Sequence, residues 1–140
     1  MSVSSKVLVV CDDTIKTVNV IINTMNAKSN ELNFGMPVNS IASISERNKM
    51  NSVCEIIGYN LDCFRVYFTR NRLSKSIFVV TKTNNDYVEY VGDNNYVYLS
   101  MNHSEDNTEI MGNLVDSLSK QGYTVFYDEN DSDESGFEKI

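Results

Sequence analysis

The chain has 140 residues, 41% of them hydrophobic and 22% charged, with a formal net charge of −7. That length suits one domain and leaves no room for two independent cores, and the composition is that of a folded chain rather than a disordered or disulfide-scaffolded one. The longest apolar runs, such as Ile77 to Val80, are strand-sized and fall far short of the roughly 18–20 residues of a bilayer-spanning helix, which excludes a membrane partner from the expectations.

Met1 to Lys6 leads directly into Val7-Leu8-Val9-Val10, too short an apolar core for a secretory signal and better read as a first strand. The expected compartment is therefore the cytoplasm. Cys11, Cys54 and Cys63 form an odd set without CxxC spacing, which predicts reduced, buried thiols and neither a disulfide framework nor a zinc site. The sequon Asn102-His103-Ser104 would matter only in a secreted chain. Asparagine is abundant, with pairs at Asn84-Asn85 and Asn94-Asn95, and Pro37 is the single proline. Such a bias is what an AT-rich genome produces, and it points to a viral or phage origin.

The strand Lys6 to Cys11 closes on Asp12-Asp13-Thr14, whose side chains can accept the free N–H groups of a helix start. Over residues 6 to 13 this resembles the start of a response-regulator receiver domain, where paired carboxylates hold Mg²⁺. The resemblance stops there: the run Ile77 to Thr81 ends without a phospho-acceptor aspartate, no matching lysine follows a later strand, and Cys11 stands where that family carries another acid. The competing role for Asp13 or Thr14 is a helix cap. Ile15, Val18, Ile22 and Met25, with Ile21 beside them, recur at helical spacing and predict a helix ending near Lys28-Ser29-Asn30. Between residues 31 and 62 a short strand at Leu32 to Met36 and one or two helical turns carrying Ile41, Ile44, Met50, Val53, Ile56 and Ile57 are expected.

Four strands follow in the sequence pattern: Phe64 to Thr69, Ile77 to Thr81, Tyr87 to Val91 and Tyr96 to Leu99, all rich in β-branched and aromatic residues. The short polar links between the last three, above all Gly92-Asp93-Asn94-Asn95, predict an antiparallel meander. Ile110, Met111, Leu114, Val115 and Leu118 mark a second helix stopping near Gly122, before a strand Thr124 to Tyr127. The expected fold class is α+β: a two-layer, mainly antiparallel sheet with helices on one face, in the order β-α-(α)-β-β-β-β-α-β. Residues 1–127 form the globular domain. Residues 128–140 hold six acids against one base and are expected to be a disordered, solvated tail.

Little in the chain signals catalysis. His103 is the one histidine and lies in a polar loop, nothing in the spacing of Cys54 or Cys63 pairs them with it, and no glycine-rich phosphate loop is present. Asp131-Ser132-Asp133-Glu134-Ser135-Gly136 matches the first half of a calcium-binding loop but lacks its final bidentate glutamate. No cofactor is indicated. The most informative segment is Cys63 to Lys82, which carries Arg65, Arg70, Arg72, Lys75 and Lys82 and no acid. Strand alternation separates Phe64, Val66 and Phe68 from Arg65, Tyr67 and Thr69, and Val97 and Leu99 from Tyr96 and Tyr98. The candidate binding residues are thus Arg65, Tyr67, Arg70, Arg72, Tyr96 and Tyr98; if the apolar sets face the helices, Arg65, Tyr67, Tyr96 and Tyr98 are displayed on the sheet face away from them. Arginine and tyrosine are enriched at binding hot spots, and an aromatic-basic face can also stack bases.

These residues predict a small non-enzymatic protein-interaction or regulatory protein that meets another protein, or a second copy of itself, through its sheet face or a sheet edge. Alternatives are nucleic-acid or nucleotide binding on the same face, a small metal-dependent enzyme using Asp12 and Asp13, and an acidic DNA mimic. The acidic tail is further expected to compete in cis for the basic band.

Overall fold

A computed structural model describes residues 4–28, 32–35, 63–70, 73–129 and 136–140, with side chains described within 4–24, 63, 75–129 and 136–140. The α+β class and the two-layer arrangement are those expected from the sequence. In chain order the elements are β1 (Ser4–Cys11), α1 (Thr14–Lys28), β2 (Leu32–Gly35), β3 (Cys63–Arg70), β4 (Leu73–Val80), a single turn α2 (Val88–Val91), β5 (Asn95–Asn102), α3 (Glu105–Lys120), β6 (Thr124–Asp128) and β7 (Glu138–Lys139).

The strands form one sheet in the order β2-β3-β4-β5-β1-β6-β7, and every neighbouring pair is antiparallel. Because β5 and β6 both run antiparallel to the β1 between them, α3 joins two mutually parallel strands across β1. In the same way β1 and β4 flank β5 and are mutually parallel, and β5-α3-β6 with β1 between its strands is a split β-α-β unit. An antiparallel neighbourhood around β1 is unlike the parallel sheet of a receiver domain, and the likeness of residues 6 to 13 goes no further than a strand meeting a helix.

Alternation sets the inner layer. Val7 and Val9 of β1 sit opposite Leu99 and Val97 of β5, and Val79 lies opposite Leu99 from the other side. These side chains pack against Val18, Ile21 and Ile22 of α1 and Ile110, Met111, Leu114, Val115 and Leu118 of α3, each almost fully buried. A buried aliphatic side chain of this kind contributes about 1.5–3 kcal/mol relative to an exposed one, so this interface is the main source of stability.

Both long helices start on a side-chain cap. Asp13 caps α1, its Oδ1 accepting the Lys16 N–H at 3.1 Å, as one of the two sequence readings of that residue required. Ser104 caps α3 in the same way, accepting from the Asn107 N–H at 3.1 Å, and Glu105 and Asp106 in the first turn oppose Lys120 in the last, as the helix dipole favours. The end of α3 is a Schellman turn: Tyr123 N–H bonds to the Leu118 carbonyl and Gly122 N–H to that of Ser119, with Gly122 at φ 98°.

Two expectations are corrected here. Tyr87 to Val91 is not a strand; it is the turn α2, in which Val91 N–H bonds to the Tyr87 carbonyl at 3.0 Å. The residues that turn toward the sheet are Tyr87, Tyr90 and Val91, a helical spacing, while Val88 and Glu89 are exposed. The turn Gly92 to Asn95 exists, but it joins this helical turn to β5, so the meander consists of β3, β4 and β5. Residues 136–140 are likewise no solvated tail: β7 pairs with β6, and Ile140 N–H reaches the Val125 carbonyl at 3.0 Å. The expected helical turns between residues 41 and 57 and the calcium-like run at 131–135 lie outside the described residues.

Candidate interaction surface

The sheet face away from α1 and α3, the outer face, is built by the residues that alternate with the core set. Leu8 and Val10 of β1 lie opposite Tyr98 and Tyr96 of β5, and Leu8 also faces Phe126 of β6. Over them stand Tyr87, the residue just before α2, Tyr90 of α2 and Phe137 from the chain just before β7, giving six aromatic rings around Leu8 and Val91.

The rings lock one another in place. Tyr87 stacks on Tyr98 with centroids 5.7 Å apart and planes at 13°, and meets Tyr96 edge-on at 5.8 Å. Phe137 stands edge-on to Tyr87 at 5.6 Å and to Tyr90 at 5.1 Å, and Tyr90 tilts over Phe126 at 5.9 Å. Offset and edge-to-face pairs of this kind add about 0.5–1.5 kcal/mol each beyond the area they bury. Tyr96 is only 2% exposed, and its hydroxyl donates to Asn84 Oδ1 at 2.7 Å, which fixes the loop leading into α2. Burial, then the neighbouring Tyr98 and Tyr96 rings and Asp86, push the Tyr87 phenol up to about 12.

The six residues singled out in the sequence fare differently. Tyr96 and Tyr98 are on the outer face as alternation required, but Tyr96 is a buried platform beneath Tyr87 and is not displayed; Tyr98 is half-buried. Pairing sets Arg65 opposite Phe78, Tyr67 opposite Ser76 and Arg70 opposite Leu73, with no description of their side chains; Arg72 lies outside the described residues. Sequence reasoning missed Tyr87, Tyr90, Phe126 and Phe137. Their signal was the i, i+3 spacing of Tyr87 and Tyr90, hidden in a run that also reads as a strand.

The basic band is not an uninterrupted free charge, because Lys75 is engaged by Asp106 of α3 at 3.0 Å on the helix side of the sheet. In the described end of the tail, β7 pairs with β6 and is five strand spacings from the arginine-bearing β3, about 24 Å.

Asp13 is spent on its cap, and among the described residues no cluster of three or more histidine, cysteine or acidic side chains could hold a metal ion. Cys11 is half-buried, with burial raising its thiol and Thr17 opposing the shift, whereas Cys63 is exposed, against the expectation of buried thiols. The exposed His103 ring nitrogen Nδ1 lies 3.2 Å from the Glu129 carbonyl. Register places Cys63 two strands away from Tyr98 and a further five residues from His103, on the order of 15–20 Å, too far for a nucleophile and its base. Among the described residues no helix is long and apolar enough to cross a membrane. Comparison with protein-family models, with curated proteins and with solved structures yields no match.

Proposed function

We propose that this chain is a small non-enzymatic interaction or regulatory protein that binds another protein through the outer face of its sheet. The observation that carries the reading is the set of half-exposed rings of Tyr87, Tyr90 and Tyr98, with Tyr87 and Tyr98 stacked on each other, Tyr90 held by Phe126 and Phe137, and Val88 standing 51% exposed on the same helical turn. A ring already held by its neighbours loses little conformational freedom on binding, and tyrosine supplies both an apolar surface and a hydroxyl. Self-association across the same face belongs to the proposal, since a two-fold axis would set one aromatic patch on its copy. The asparagine-rich composition motivates a viral or phage source acting on a host protein in the cytoplasm.

The test is affinity capture from native lysate with the native chain and with Tyr90→Ala and Tyr98→Ala. The expected result is one stoichiometric partner whose retention falls by about tenfold or more in either variant, the signature of a hot-spot residue. A partner held equally by all three chains, or no partner together with turnover in a broad substrate screen, would overturn the reading. Sedimentation showing a monomer at high concentration would remove self-association from it.

A further inference from the structure

The edge of the sheet next to this surface is closed by only a few contacts of the chain with itself. Residues 138 and 139 pair with Tyr127 and Phe126, Ile140 adds one main-chain bond to Val125, and the one aromatic anchor is Phe137, half-buried between Tyr87 and Tyr90. A Cβ at Gly136 would come within 3.4 Å of the Tyr90 hydroxyl, so a glycine leaves room for that ring. The nine residues 129–137 between β6 and the paired residues of β7 include four acids and no base, so their mutual repulsion works against closing the hairpin. An attachment of two register pairs is of the kind that costs less free energy to open than the core does.

What closes the edge is itself a record of what the edge accepts. An extended segment donates and accepts main-chain hydrogen bonds along β6 while one aromatic side chain enters the cradle of Tyr87 and Tyr90, which is how peptides add a strand to an open sheet edge. We propose that the outer edge of β6 and the Tyr87–Tyr90 cradle form a docking site for an extended segment of a partner protein bearing an aromatic side chain, filled in cis by residues 136–140. This rests on the protein-recognition reading above and names its mode: the partner strand replaces β7, and its aromatic ring replaces Phe137. The cis segment competes with any such partner at an effective concentration of roughly the millimolar range, so it sets an affinity threshold for entry.

The test uses the full chain carrying Phe137→Ala, titrated with a synthetic peptide of the sequence of residues 135–140 and followed by the NMR signals of the Tyr87 and Tyr90 rings and the β6 amides. The expected result is saturable binding to Phe137→Ala, binding weaker by about tenfold or more to the native chain, and none by a peptide whose phenylalanine is alanine. Ile140→Pro, which keeps Phe137 but removes the donor to Val125, is the second variant and should also admit the peptide more readily than the native chain. A folded Phe137→Ala or Ile140→Pro chain that shows no shift at the rings and β6 with excess peptide overturns the proposal. So does exchange of the segment between two copies, seen as a native dimer that Phe137→Ala abolishes, which would assign the edge to a second copy. Failure here with a partner still lost in Tyr98→Ala leaves the recognition reading intact; peptide binding with no partner dependent on Tyr90 or Tyr98 leaves only the groove.

Discussion

Tyr87 is the side chain on which the outer face turns, because it touches Tyr96, Tyr98 and Phe137 at once. Its phenol ionises near 12 rather than the ordinary 10, mainly through burial. A group that holds its proton more tightly when folded stabilises the fold in full below the unfolded value, and that contribution is lost as pH climbs through the folded one. Stability should therefore fall between about pH 10 and 12, and Tyr87→Phe should lose less over that window than the native chain, measured by urea unfolding at several alkaline pH values. Identical pH dependence in both would contradict the assigned environment. At this scale the sequence was partly legible. Alternation placed Tyr96 and Tyr98 on the face opposite Val97 and Leu99, but nothing local could show that Tyr96 is buried, since the ring covering it arrives from residue 87.

The elements that were readable are those whose own pattern decides them. The spacing of Val18, Ile21 and Ile22, and of Ile110, Leu114 and Leu118, leaves no alternative to an amphipathic helix, and the alternation of β1 and β5 is equally plain. Tyr87 to Val91 was misread because five residues fit both periods, and its composition favours a strand. What decides is the outer face, which needs a cover that presents two rings on one side of a turn. Gly92 allows the chain to leave that turn: it sits at φ 63° and ψ −134°, where residues with a side chain are strained, and a Cβ there would meet no atom within 4 Å. Gly92→Ala should thus cost about 1–3 kcal/mol from backbone strain alone, read as a shift of the denaturant midpoint at unchanged slope. A variant as stable as the native chain would mean that α2 and β5 are joined differently.

At the scale of the whole molecule the sheet has two unlike faces. The inner one holds the fold through aliphatic packing against two helices, and the outer one holds a smaller aromatic cluster drawn from five separate stretches of chain. Phe137 was invisible in the sequence because a single ring in an acidic run reads as solvated, and its partners are some fifty residues away. The docking proposal depends on that ring closing the outer face, and the aromatic surface of the recognition proposal is built around it. The most direct measurement is a nuclear Overhauser experiment on the native chain with labelled aromatic rings. It should show cross-peaks from Phe137 to both Tyr87 and Tyr90, together with those between Tyr87 and Tyr98. A Phe137 ring with random-coil shifts and no cross-peak to either tyrosine would contradict the account.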